Sequence, residues 1–288
     1  MGDSIAAMTT APLRIDAHQH FWDLERGGYA WPTAAEAAIH RTFRPADLAP
    51  ELAAAGIDRT VLVQAADTLA DTDVTLATPA ANPFVAGVVG WVPLEDPAAA
   101  ERELDARSGR LSGIRHLVHW EPDPDWILRP DVARGLDVVS RRGLPFDLVA
   151  LFPRHLRLVP SLVARHPHLT IVIDHLAKPP FRSAGWDTWL AELRAAASAS
   201  QRVHAKVSGL DTAAGEGWTV DELRPAVDAA LEAFGPSRLL FGSDWPVCRL
   251  VSTYGDVVRA TETLIADLSA VERARIMGGT AAEVYRLR

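Results

Sequence analysis

The feature that most constrains this chain is a repeated alternation of two kinds of segment. Eight short runs rich in β-branched and other apolar residues fall at 13–21, 59–65, 84–92, 111–119, 144–151, 169–177, 203–209 and 238–246. Each is followed by a longer, helix-compatible stretch rich in Ala, Leu, Arg and Glu, the pattern of βα units on a parallel sheet. Strands apolar throughout their length are expected to be covered on both faces. Eight such units in 288 residues, close to the ~250 of a closed barrel, predict an α/β fold of the (β/α)8 TIM-barrel type. An open doubly wound sheet is the alternative.

Helices are expected at 45–56, 96–109, 130–143, 155–166 and 221–235, with Gly56, Gly109, Gly143 and Gly235 as stops. No interior stretch is linker-like, so a single domain is expected over 13–288, preceded by a loose N-terminal tail, 1–12. That tail lacks the basic and apolar regions of a signal peptide. The longest irregular pieces, 22–45 and 120–130, follow strands 1 and 4, where a barrel places its active-site loops.

Composition narrows the partners. A net charge of −8 without a Lys/Arg run lacks the basic footprint of a nucleic-acid binder. No apolar run approaches the ~20 residues of a membrane helix. The single cysteine, Cys248, cannot form an intramolecular disulfide, which fits a reducing, cytoplasmic setting. A small-molecule partner is therefore expected, with the protein a monomer or homodimer.

Catalytic groups of barrels sit at the C-terminal ends of strands, so polar residues there carry the most information. Period-two geometry puts Asp16, His18 and His20 on one, inward face of strand 1. On strand 6 it aligns Ile171, Ile173 and His175 and turns Asp174 away; strand 7 presents His204, Lys206 and Ser208 together. Asp244 closes strand 8. His18, His20, His175 and Asp244 could thus meet at one mouth, either as ligands of a single divalent ion such as Zn²⁺ or as a metal-free substrate pocket. A His-x-His pair alone is equally compatible with an ordinary core.

Other chemistries find no template. No GxSxG elbow, P-loop or GxGxxG is present, and Cys248 reads as packing. His166 and His168 precede a strand and read as surface residues. Trp22, Trp31, Trp91, Trp120 and Trp245 fall at strand ends, where aromatic walls could enclose a ligand, whereas Trp126, Trp186, Trp189 and Trp218 are expected on the barrel exterior.

The motifs IDAHQHFWD, GIRH, FDLV with PRHL, IDHLAKPP, AKVSGL, FGSDWPVC and GGTAAEVYRL resemble, in order, the amidohydrolase-2 branch of the amidohydrolase superfamily. Within it they resemble the sugar-lactone hydrolases, the fuconolactonases and rhamnonolactonases. The resemblance implies a distorted barrel that hydrolyses a lactone to its hydroxy acid. It implies Asp244 as the general base and His175 near the substrate carbonyl. Lys178 then falls where such enzymes carry a substrate-binding cation, and His18 and His20 at the first-strand pair. Two-metal relatives need a bridging residue near strand 4 and a histidine on strand 5, which this chain lacks. No cofactor is therefore expected to be required, although one divalent ion held by His18, His20, His175 and Asp244 stays open. His119, Ala150 and Leu151 depart from the usual pattern and leave the choice of lactone open.

In the expected mechanism Asp244 takes a proton from the attacking water and returns it to the leaving alkoxide. His175 and Lys178 stabilise the oxyanion. Arg115, His119, Lys206, Arg154, Trp31, Trp91 and Gln64 complete the expected substrate-binding set. Two rivals stand beside this: a metal-dependent decarboxylase or amidohydrolase on the same barrel, and a noncatalytic barrel that binds a sugar acid.

Overall fold

The computed structural model describes residues 12–26 and 28–287. Eight parallel strands follow one another around a barrel: β1 Ile15–Gln19, β2 Arg59–Val63, β3 Val85–Gly90, β4 Gly113–His116, β5 Phe146–Leu148, β6 Ile171–Ile173, β7 Val203–Val207 and β8 Leu239–Phe241. All eight expected strands are present, each shorter than its apolar run. β8 rejoins β1 through a parallel bridge between Gln19 and Trp245, with His20 N–H donating to the Trp245 carbonyl at 2.7 Å and Asp244 N–H to the His18 carbonyl at 2.8 Å. The barrel, not the open sheet, is the architecture. Of the expected tail, all but Pro12 lies outside the described residues.

Helices cover the outside as their end signals require. The helix Pro45–Ala55 opens with proline at its first position and stops at Gly56, which takes φ 63° and returns its N–H to the Ala53 carbonyl, a left-handed stop that glycine adopts without a Cβ clash. No described helix is long and apolar enough to cross a membrane. His168 is exposed as expected, but His166 is buried and bonded to Asp137 at 2.7 Å.

Alternate strand residues divide between two cores. Ile114, Phe146, Leu148, Ile171, Ile173, Val203, Ala205, Leu239 and Phe241 pack into the helical shell, whereas Ile15, Ala17, Val61, Val63, Val89, Val172 and Leu240 form a separate interior cluster. After the C-terminal helix Thr280–Val284, Tyr285 enters that interior cluster, and its hydroxyl donates to Asp147 at 2.8 Å. This division corrects two expected orientations. Asp16 does not share a face with His18: it bonds Ser243 and the Tyr254 hydroxyl on an outer helix, because the β1–β2 register shifts between Asp16 and Gln19. Asp174 does not turn away: Ile171 and Ile173 face the shell, and Asp174 lies inside against Lys206 and His18.

Candidate functional site

The interior above the apolar cluster is charged. Lys206, on β7, is fully buried, with Nζ 2.5 Å from Asp147 Oδ2, 3.0 Å from Asp174 Oδ1 and 2.9 Å from His18 Nδ1. Arg115 Nη1 lies 3.5 Å from Asp174 and 3.3 Å from His18 Nε2, and its other amine donates to the Gln64 carbonyl. Charges buried this deeply are tolerated only when paired and hydrogen-bonded. The two carboxylates share one lysine and diverge. Burial raises both, but Lys206 and His18 outweigh it at Asp174 and hold that group well below the ordinary range, while Asp147 stays above it.

Above this layer lie the four strand-end residues. His18 Nε2 is 3.1 Å from His20 Nε2, and these nitrogens stand 3.7 and 3.5 Å from Asp244 Oδ1. His175 Nε2 is 3.9 Å from Asp244 Oδ2, and the His18 and His175 rings meet edge to face at 4.6 Å. His20 Nδ1 faces the Val63 carbonyl at 2.8 Å. A carbonyl only accepts, so this nitrogen carries the proton and Nε2 presents a lone pair to the site. Ser208 Oγ holds His175 Nδ1 at 2.8 Å.

Backbone geometry makes this convergence possible. Asp244 sits at φ 55° and His175 at φ 56°, left-handed conformations uncommon for residues other than glycine. Gly209 and Gly242 leave the room required. A Cβ at Gly209 would stand 2.8 Å from His175 Nδ1, and one at Gly242 would stand 2.7 Å from His18 Cβ.

The electrostatics suit base chemistry. Burial works against the Asp244 charge, but the nearby His175, His20 and His18 hold its carboxyl well below the usual range. Burial lowers His175 to about 4 despite Asp244 and Asp174. Burial, with Arg115 and Lys178, lowers His119 to about 3. At neutral pH the site therefore pairs the Asp244 carboxylate with the uncharged imidazoles of His175 and His119.

A cavity of about 360 Å³ opens onto this group. His20, His175, Asp244, Lys178, Arg115 and His119 supply its polar wall, and Trp22, Trp31, Trp120, Leu151, Val247 and Leu250 part of its apolar one. The loops after strands 1 and 4 thus form the mouth, as expected. Five residues of the expected substrate-binding set do not line the cavity, and the first of them, His18, is fully buried behind its wall. Lys206 lies beneath His18, and Gln64 is buried and bonded to Asp67 at 2.9 Å. Trp91 donates to His116, which stacks on Trp126, at 3.0 Å. Arg154 is spent on the backbone carbonyls of His119 and Glu121 at 3.4 and 2.7 Å, bracing the loop after β4.

Residues 15–287 match the Amidohydro_2 family, described as amidohydrolase. The chain belongs to the amidohydrolase family. This amidohydrolase is 41% identical over 284 residues to an L-fucono-1,5-lactonase from Burkholderia ambifaria, covering 96% of each chain. It is 38% identical over 286 residues to an L-fucono-1,5-lactonase from Burkholderia multivorans, again covering 96% of each. Crystal structures of an amidohydrolase from Burkholderia multivorans, one with bound zinc and one with bound HEPES, share the fold with a TM-score of 0.89. Their sequence identity is 36%, covering 96% of this chain and all of that one.

Sequence reasoning missed Asp147 and Asp174 in the amidohydrolase's interior. A signal existed: one Asp in the apolar FDL run and one Lys in HAKVSG must find partners if both strands are buried on two faces.

Proposed function

We propose that the protein opens a small sugar-acid lactone, such as L-fucono-1,5-lactone, to its hydroxy acid. The observation that carries this reading is the Asp244 carboxylate. It is held ionised, faces a cavity with Lys178, Arg115 and His175 around it, and belongs to a chain 41% identical to an L-fucono-1,5-lactonase. Asp244 takes a proton from water, whose oxygen attacks the lactone carbonyl. The neutral His175 and the Lys178 ammonium stabilise the oxygen on which charge develops, where loss of one preorganised donor costs on the order of 3 kcal/mol. On collapse the ring C–O bond breaks, and Asp244 delivers its proton to the leaving alkoxide. Arg115, His119 and Trp31 bind the polyol.

The donor set also fits one divalent ion. Two imidazole nitrogens bound to zinc at ~2.0–2.1 Å in tetrahedral geometry would lie about 3.3 Å apart, close to the 3.1 Å between His18 and His20 Nε2. The groups His18, His20, Asp244 and His18, Asp174, His175 each converge closely enough to hold one. An ion there would polarise the carbonyl as a Lewis acid. His18 would then need its lone pair on Nε2, whereas the Lys206 ammonium, which can only donate, faces Nδ1 at 2.9 Å and favours the proton on Nε2, so binding an ion there would require His18 to change tautomer.

A pH-stat screen of aldonolactones, with and without a chelator, tests the reading. Base uptake on 1,5-lactones of deoxy sugars supports it. Ligand-induced stabilisation without turnover across the panel would instead mark a noncatalytic binding barrel. Activity abolished by chelation and restored by one equivalent of metal would assign the ion a required role.

A further inference from the structure

After β6 the backbone makes one turn of left-handed helix. His175, Leu176, Ala177 and Lys178 take φ of 56°, 47°, 61° and 53°, and the Lys178 N–H donates to the His175 carbonyl at 2.8 Å. None of the four is glycine. In this region Cβ crowds the following carbonyl oxygen, so L-residues visit it singly and not as a turn. The strained turn supplies two cavity-lining groups, His175 and Lys178, so its relaxation would move both.

Two bonds from outside hold the turn. The indole Nε1–H of Trp189, on the helix Trp186–Ala199, donates to the Leu176 carbonyl at 2.9 Å, and the Phe152 N–H donates to the Ala177 carbonyl at 3.0 Å. Trp189 and Leu176 are both fully buried, and Trp189 does not reach the cavity. Without the indole donor, a buried carbonyl in the middle of a strained turn loses its partner, which favours a different backbone path.

We propose that Trp189 is a positioning residue: its indole N–H keeps the left-handed turn that aims His175 and Lys178 at the substrate beside Asp244. The kinetic arm of the test rests on the lactonase reading, and the crystallographic arm does not.

Trp189→Phe keeps an aromatic side chain in the shell and removes the donor. The variant should lose roughly ten- to a hundredfold in kcat on L-fucono-1,5-lactone, the scale of a displaced catalytic group, with a much smaller change in KM. Its crystal structure should show His175 Nε2 further from Asp244 Oδ2 than the native 3.9 Å. Adding Ala177→Gly should recover most of the lost kcat, because glycine takes positive φ without the Cβ clash. A purely structural role for Trp189 would lower the melting temperature and leave kcat of the folded enzyme intact. A folded Trp189→Phe variant with native kcat and an unchanged turn would overturn the proposal, as would a double variant no faster than the single one. If the single variant does not fold, the double variant decides: folded and active supports the proposal, folded and inactive refutes it. If the native chain hydrolyses no lactone, the functional reading falls, and the position of His175 in the variant crystals alone decides the role of Trp189.

Discussion

Replacing Lys206 with methionine separates a buried structural cation from a substrate-binding one. The native ammonium is fully buried and lies 2.5 Å from Asp147 and 3.0 Å from Asp174. Removing one partner of a buried ion pair costs about 3–5 kcal/mol, because the remaining charge is left without compensation. At roughly 2–4 °C per kcal/mol for a large domain, Lys206→Met should melt about 6–20 °C below the native protein. The deficit should depend on pH. Asp147 already titrates above its unfolded value, since burial outweighs Lys206, so its contribution to stability is present at low pH and declines as pH rises through the folded pKa. Loss of the lysine pushes that pKa higher still, so the gap between variant and native protein should be wider near pH ~8 than near pH ~5.5. Differential scanning fluorimetry across that range reads the gap, and adding Asp147→Asn should close part of it. A Lys206→Met variant that melts within about 2 °C of native at every pH and shows only a raised KM would refute the reasoning and return Lys206 to the substrate-binding set.

Gly209→Ala should disturb the site more than the fold. A methyl group at φ 57° carries an αL penalty of roughly 1–2 kcal/mol. It would also press the His175 ring from 2.8 Å, so kcat should fall at least about tenfold while circular dichroism stays native; native kcat would contradict this. The pH profile follows from burial. His175, lowered to about 4, and Asp244, held below the usual carboxylate range, both keep their working forms above pH ~5. Thus kcat/KM should stay level from pH ~8 to ~5.5, whereas a break near the ordinary histidine value of ~6.5 would show that another group controls the reaction. Arg154→Ala should raise KM only modestly through a loosened loop after β4, since its guanidinium binds backbone carbonyls. A complete loss of substrate binding, measured by isothermal titration with the product acid, would place Arg154 in the cavity after all.

The barrel was legible because each βα unit carries its own local signals: a short apolar run, a helix-compatible stretch and often a glycine stop such as Gly56. His18, His20, His175 and Asp244 were legible because polar residues at apolar strand ends stand out. The orientations were less so. A strand buried on both faces has no polar side to mark the outside, so parity alone could not say that Ile171 and Ile173 face helices and Asp174 the interior. On β1 the register shift after Asp16 reverses the face. Nor does period-two reasoning anticipate the left-handed turn at His175, which lies beyond the strand.

Asp244→Asn tests the central claim most directly. The substitution keeps the side chain's size and removes its negative charge, and with it the capacity to accept a proton from water. Assayed beside the native enzyme on the proposed substrate, L-fucono-1,5-lactone, in a pH-stat, the folded variant should lose at least about a thousandfold in kcat, roughly 4 kcal/mol of barrier. Turnover within a few-fold of native would show that Asp244 is not the base.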